Sequence, residues 1–459
     1  MKRAKSAEPK PRFSRAFWVA NFSEMFERAA YYGVFVVITL YLSNIIGFSD
    51  IEAGLISGIY ASLLYFLPPF TGAYADRIGF RRSMLLAFGL LTVGYAGLAL
   101  LPTLLQSTGL VEYGRQTTFN GLPQSSYRYL IVPVLLVLCV GGSFIKGIIS
   151  GSVAKETDQK NRARGFAIFY AMINIGSFSG KFIIEPLRRG MGDRGLIYLN
   201  WFSVAMVVVA LLAIFFFYRS ANAAPDRSKS MRHIWRSFAK LCTNWRLVVL
   251  ILIVSGFWTV YYQLYATMPK YVIRLAGEES AIGWYTMLNP LVVILCVGWL
   301  TRLLGKRPAL FSIMLGMCVI PFSALLMSSG QMIGHTILGL NPVVFMMLVG
   351  IVFQALAECL ISPRYLEYFS LQSPKGEEGL YLGFAQLESF VSTLVGFGMS
   401  GWLLDKYCPD PKKFATLAEW QAASENAHYI WYYFAAIAAV AAVALVVYQI
   451  VVKRLDAKQ

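Results

Sequence analysis

The chain has 459 residues, of which 57% are hydrophobic, 15% aromatic and only 14% charged, a balance that excludes an ordinary soluble domain and fits a polytopic membrane protein. A net charge of +17 raises the possibility of nucleic acid, but the basic residues gather in no one domain and carry no recognition motif, so nucleic acid is excluded as a partner. Six cysteines without disulfide or metal-ligand spacing, and three scattered histidines (His233, His335 and His428), disfavour a disulfide framework and a haem or zinc site.

A basic tail, residues 1–16, leads into the first of a series of apolar runs. Each is about twenty residues or more, long enough to cross a hydrocarbon core of roughly 30 Å. The first six spans are predicted at 17–44, 52–74, 83–105, 129–153, 165–187 and 196–218. A polar linker, 219–245, separates them from a second six at 246–274, 280–304, 308–329, 343–362, 379–404 and 428–452. The domains read as a 17–218 bundle and a 246–453 bundle, closed by a short tail, 454–459. The first apolar run is too long for a cleavable signal peptide and is followed by others. Of the 41 Lys and Arg, 28 fall on the side that holds both termini and the central linker, and the positive-inside rule makes that side cytoplasmic.

The opening of the first span, NFSEMFERAAYYG, sets Glu24, Glu27 and Arg28 on one helical face by their i, i+3 and i+4 spacing. AFWVANFS before them is mostly apolar, which places the charges about two turns inside the span. One carboxylate is expected to pair with Arg28, leaving the other to titrate in low dielectric, as proton handling requires. Between the second and third spans, GAYADRIGFRR (Gly72 to Arg82) recurs as GWLTRLLGKR (Gly298 to Arg307) under one constant offset, with Arg302 at the position of Asp76. That is an internal repeat. Two six-helix halves with a midplane site are the architecture of the major facilitator superfamily, whose loop motif GAYADRIGFRR resembles. The resemblance implies a gating relay of Asp76, Arg77, Arg81 and Arg82.

Charges buried in spans are functional candidates. Lys146 lies deep in the fourth span, flanked by glycines, and Glu358 holds the equivalent span of the second half. The two are expected to face each other across the cavity and so to suit a zwitterion. Glu388 stands about three turns into the eleventh span, either lining the cavity or packed on a polar neighbour. Lys181 and Glu185, one turn apart, are expected to pair locally.

The segment Glu24-x-x-Glu27-Arg28-Ala29-x-Tyr31-Tyr32-Gly33 resembles the ExxERFxYYG signature of the proton-dependent oligopeptide transporter family, with Ala29 in place of phenylalanine. Phe169 to Ser177, Asn289-Pro290, and Glu358 with Ser362-Pro363 are similar to that family's fifth-, eighth- and tenth-helix motifs. Lys146 and Tyr65 match its fourth-helix lysine and a tyrosine upstream of the loop motif. The resemblance implies an all-α fold of twelve transmembrane helices and proton-coupled symport of di- or tripeptides or similar zwitterions, with protons as the coupling ion and no other cofactor. It implies that Arg28 and Lys146 receive a cargo carboxylate, that Asn174, Asn289 and Glu358 receive its amino end, and that Tyr32 and Tyr65 line the pocket. Glu24, Glu27, Arg28 and Lys146 would couple protonation to the change of state. A monomer in the bacterial inner membrane is expected.

The chain departs from the family at two linked positions. An arginine two residues beyond YYG and an acid in the seventh-helix W-x-x-[D/E]-x-Q are here Phe35 and Tyr261, the latter followed by Tyr262. Because both charges are missing together, closure at this gate is expected by aromatic packing instead of an ion pair. That keeps a rival reading open, a carrier of another amphiphilic or anionic small molecule, by import or proton antiport. A membrane-embedded enzyme or receptor has no support, for want of a catalytic set, a soluble domain or a cofactor motif.

Overall fold

The computed structural model describes residues 13–157, 162–219, 231–304, 307–372 and 378–456. The chain runs through α1 (Arg15–Phe35), α2 (Ile38–Asn44), α3 (Asp50–Phe66), α4 (Pro68–Ile78), α5 (Phe80–Ser107), α6 (Ile131–Lys155), α7 (Arg162–Met191) and α8 (Asp193–Phe217). After the helix α9 (Met231–Cys242) come α10 (Trp245–Tyr261), α11 (Gln263–Ala266), α12 (Met268–Ala276), α13 (Ile282–Leu304), α14 (Ala309–Ser329) and α15 (Pro342–Gln372). The last are α16 (Glu378–Ala385), α17 (Leu387–Tyr407), α18 (Leu417–Ala423) and α19 (Tyr429–Asp456).

Among the described residues nine helices are long and apolar enough to cross a membrane, and ten if α1 and α2, bent by 46° at their junction, form one span. The two further expected spans are helical but more polar. One is α3 with α4, which meet at Leu67; the other is the 30-residue α7, which carries Lys181, Glu185, Arg188 and Arg189. The fold is therefore an all-α polytopic bundle of the expected class, with the polar helices buried against neighbours.

Local signals explain the element ends. Ser14 Oγ accepts the Phe17 N–H to start α1, and Ser49 with Glu52 forms a capping box on α3, each satisfying N–H groups that a helix start leaves orphaned. At Gly79 the chain takes φ +87°, a conformation that glycine adopts without steric cost. This turn separates α4 from α5 and accounts for the glycine of the loop motif.

Three features lie outside the expected spans, the short α18 between the last two of them, a hairpin and α9. An antiparallel hairpin of β1 (Val111–Tyr113) and β2 (Thr117–Phe119) caps the α5–α6 connection, where Asp193 accepts the Thr117 N–H at 2.8 Å. At the opposite end α9 occupies part of the expected linker. Its Trp235 ring lies 4.5 Å from Phe70 of α4 and its Phe238 5.8 Å from Phe384 of α16, so the connection is anchored on both sequence halves.

A close helix crossing is α3 on α17. A Cβ added at Gly401 would come within 2.4 Å of the Asp50 carbonyl oxygen, and one at Gly54 within 2.5 Å of that of Phe397. Backbone atoms cannot yield as side chains do. Gly401→Val is expected to lower the thermal unfolding midpoint in detergent by several degrees, since overpacking costs about 1–3 kcal/mol; the same substitution at Gly298, with open space around it, is expected to leave the midpoint within a degree or two.

Candidate functional site

Burial of α1 brings the charged turn into the interior. Glu24, Glu27 and Arg28 are 4%, 1% and 8% exposed. Arg28 Nε lies 3.2 Å from Glu24 Oε1 and 2.5 Å from Glu27 Oε2. The expectation of one paired and one spare carboxylate is thus corrected: the guanidinium fork reaches both acids at once, as its planar donor array allows. What is left over is a single oxygen, Glu24 Oε2, buried without a hydrogen-bond partner.

Beside this cluster lies a cavity of about 240 Å³ lined by residues of both sequence halves, among them Tyr31, Tyr32, Phe35 and Tyr65 of the first and Trp258, Tyr262, Glu358 and Glu388 of the second. Four buried polar atoms on its wall have no hydrogen-bond partner: Tyr31 Oη, Trp258 Nε1, Ser362 Oγ and Glu388 Oε2. Buried polar groups are normally satisfied. The four come from α1, α10, α15 and α17, so the lining of the cavity holds unsatisfied donors and an acceptor on both halves.

Glu358 of α15 is held by Asn289 of α13, whose Nδ2 donates to Oε2 at 3.1 Å, while Asn289 Oδ1 accepts from Tyr261 Oη at 3.2 Å. Asn289 and Tyr261 thus orient the acid. Asn174 is placed differently from expectation: its Nδ2 donates to the Tyr170 carbonyl of its own helix at 2.8 Å, and it is Tyr170 that reaches the cavity wall.

Lys146 does not face Glu358 directly. Its Nζ sits 3.5 Å from the centre of the Tyr65 ring, a cation–π contact that puts Tyr65, not the ammonium, on the cavity wall. The Tyr65 hydroxyl lies 2.9 Å from that of Tyr262, which lies 3.2 Å from Ser389 Oγ. Ser389 Oγ in turn donates to Glu388 Oε1 at 3.0 Å. A chain of hydroxyls so joins the lysine's ring partner in one half to an acid in the other, and Glu388 is found on the cavity wall.

Lys181, 1% exposed, was assigned the wrong partner by sequence. Glu185 turns to Arg188, Arg189 and the Gly283 N–H. Lys181 Nζ instead reaches the Thr286 carbonyl at 3.3 Å and lies 4.9 Å above the Tyr32 ring. The cause is Pro290, inside α13: a proline has no N–H, so the carbonyl four residues earlier loses its helical donor. Pro290 frees Thr286, and the lysine of α7 takes the vacancy. The signal was in the sequence as Asn289-Pro290, but it names the acceptor and not the lysine.

At the end of the bundle that carries the hairpin, Phe35 packs on Tyr265 and Phe397, with ring centres 5.4 and 5.8 Å apart, rather than on Tyr261, whose hydroxyl turns to Asn289. Packing is not alone, however. Asp50, 4% exposed, accepts from Lys270 at 2.7 Å and from Arg274 at 2.8 Å, joining α3 to α12. Charges at span ends read as ordinary interface residues, so sequence missed this triad. At the α9 end, Phe66 lies 5.3 Å from Phe390. The side chains of Asp76 and Arg77 lie outside the described residues. Arg82 is exposed, and Arg81 donates to the Phe215 carbonyl at 2.8 Å, where a cation meets the negative end of α8.

A model of the Major Facilitator Superfamily matches residues 17–340. The Dipeptide and tripeptide permease B of Yersinia enterocolitica is 25% identical over 467 residues, 85% of each chain. Solute carrier family 15 member 1 of Homo sapiens is 29% identical over 208 residues, which span 44% of this chain and 28% of that one. A solved structure described in terms of substrate recognition in proton dependent oligopeptide transporters has the same fold, with a TM-score of 0.71 at 18% identity over 96% of this chain and 99% of that one.

Removing Asp50 strands two buried cations, whereas removing a cation with it relieves the repulsion. Asp50→Asn is expected to depress the unfolding midpoint in detergent clearly, and the double variant Asp50→Asn with Lys270→Met to recover part of the loss. Equal midpoints for the two variants would show that the triad does not act as a charge-balanced unit.

Proposed function

The chain belongs to the Major Facilitator Superfamily and to its proton-dependent oligopeptide transporter branch, and on that footing we propose that it is a secondary transporter carrying di- or tripeptides, or closely similar zwitterions, together with protons. The observation that carries this reading is the cavity between the halves, with Glu358 oriented by Asn289 on one side and the Glu24–Glu27–Arg28 cluster on the other. The permease named above carries dipeptides and tripeptides by name, which supports this reading.

Charge counting gives the coupling. With all groups ionised, Glu24, Glu27, Arg28 and Lys146 sum to zero. A proton on either carboxylate leaves one net positive charge in low dielectric, and a cargo carboxylate cancels it. Proton and cargo thus favour each other's binding, and by linkage the effect is reciprocal. Glu24 is the better acceptor of that proton, since its Oε2 has no partner to lose. Glu358 then meets the cargo's amino terminus, with Tyr32 and Tyr65 as walls.

In this reading the hairpin end faces outward and both termini are cytoplasmic. The bundles 17–218 and 246–453 rock about the cavity, with 219–245 as their connection, in a monomer of the bacterial inner membrane. Phe35, Tyr261 and Tyr262 belong to the outer closure, reinforced by Asp50, Lys270 and Arg274. Asp76, Arg77, Arg81 and Arg82 belong to the inner one. The wall is rich in rings and hydroxyls, which suits variable side chains by shape and stacking.

Reconstituted protein is expected to accumulate a dipeptide when the outside is made acidic. Lys146→Ala is expected to abolish this proton-driven accumulation, and normal accumulation by that variant overturns the coupling scheme. Glu358→Gln is expected to weaken uptake of a free dipeptide about tenfold or more, the value of one charge-assisted contact, and that of its N-acetylated form much less. Equal losses for both overturn the amino-end assignment.

A further inference from the structure

A peptide with an uncharged side chain uses Glu358 for its amino end and the Arg28 and Lys146 side for its carboxylate, and leaves one wall acid unanswered. That acid is Glu388. It is 3% exposed, it lines the same cavity as Glu358, and its Oε1 is fixed by the Ser389 hydroxyl while its Oε2 has no partner. Among the described residues lining the cavity there is no lysine or arginine. Three cations stand behind rings that line it, Arg28 behind Tyr31, Lys146 behind Tyr65 and Lys181 behind Tyr32.

A carboxylate in such a place is costly when ionised and unmatched. A cation reaching it gains a charge-assisted bond to the carboxylate and the faces of the rings that line the cavity with it, Trp258 and Tyr262. The Trp258 Nε1–H and the Ser362 hydroxyl, also without partners, supply polar contacts to the rest of such a ligand.

We propose that Glu388 is a specificity-determining residue that forms an anionic subsite for the cationic side chain of a short peptide, an ammonium or a guanidinium, next to the Glu358 subsite for the amino terminus. The preferred cargo is then a lysine-, ornithine- or arginine-containing dipeptide, ahead of a neutral or acidic one. Peptides without a cation leave Glu388 to take a proton, so a cationic cargo crosses with one proton fewer.

This inference rests on the transport reading above, and one assay separates their failures. Proteoliposomes holding the full chain are offered Ala-Ala, Ala-Lys and Ala-Glu under an inward pH gradient, with uptake and co-transported protons counted. The native protein is expected to take Ala-Lys roughly tenfold more efficiently than Ala-Ala, as one charge-assisted bond allows, with fewer protons per peptide. In Glu388→Gln the Ala-Lys to Ala-Ala ratio is expected to fall to about one, and Glu388→Asp to restore part of it. Equal efficiency for Ala-Lys and Ala-Ala in the native protein overturns the subsite and leaves the transport reading standing. A loss in Glu388→Gln that is the same for both peptides makes Glu388 a proton carrier only and also overturns it. Uptake of none of the three peptides overturns both.

Discussion

A charge removed from water has to be answered by another charge, by hydrogen bonds or by a proton, and this molecule is arranged around the places where the answer is incomplete. Arg28 divides itself between Glu24 and Glu27 and leaves one oxygen bare. Glu358 is steadied by an amide, Glu388 by the Ser389 hydroxyl, and Lys181 by a carbonyl that a proline set free. These groups lie on helices of different polarity, from the apolar α15 to the polar α7. Where the matching is complete, as at Asp50 with Lys270 and Arg274, the bundle is closed. Where it is partial, there is a cavity.

That distinction orders the two ends of the molecule. The hairpin end is held by ion pairs and rings together, Phe35 on Tyr265 and Phe397 inside, the Asp50 triad outside. The α9 end is held among the described side chains by rings: Phe66 on Phe390, Phe70 on Trp235, Phe238 on Phe384. Stacked rings separate without stranding a charge, whereas the triad separates only if water reaches three ions. The two closures therefore differ in what opening demands of them.

Much of this was legible in the sequence, because charges are so rare in its apolar runs that each one stood out. Glu24, Glu27, Arg28, Lys146 and Glu358 were found that way, and the loop repeat and the motifs gave the two halves. What could not be read were partners. The partner of Lys181 is a backbone carbonyl 105 positions away, which no side-chain pattern records. That Tyr65 covers Lys146 depends on how α3 and α6 cross. Asp50, Lys270 and Arg274 sit at span ends, where charge is expected and so carries no signal. Helix α9 mixes its apolar residues with basic ones, so that it reads as linker, and its anchoring needs Phe70 and Phe384, which are distant in sequence.

The bond between Lys181 and the Thr286 carbonyl joins a helix of the first half to one of the second. When those helices part, an ammonium and a peptide oxygen lose each other in the same movement, and the proline leaves the oxygen no helical donor to return to. The seam between α7 and α13 consequently cannot slide apart dry: solvent has to enter it as the helices move, and the rate of switching carries the hydration of that one contact within its barrier.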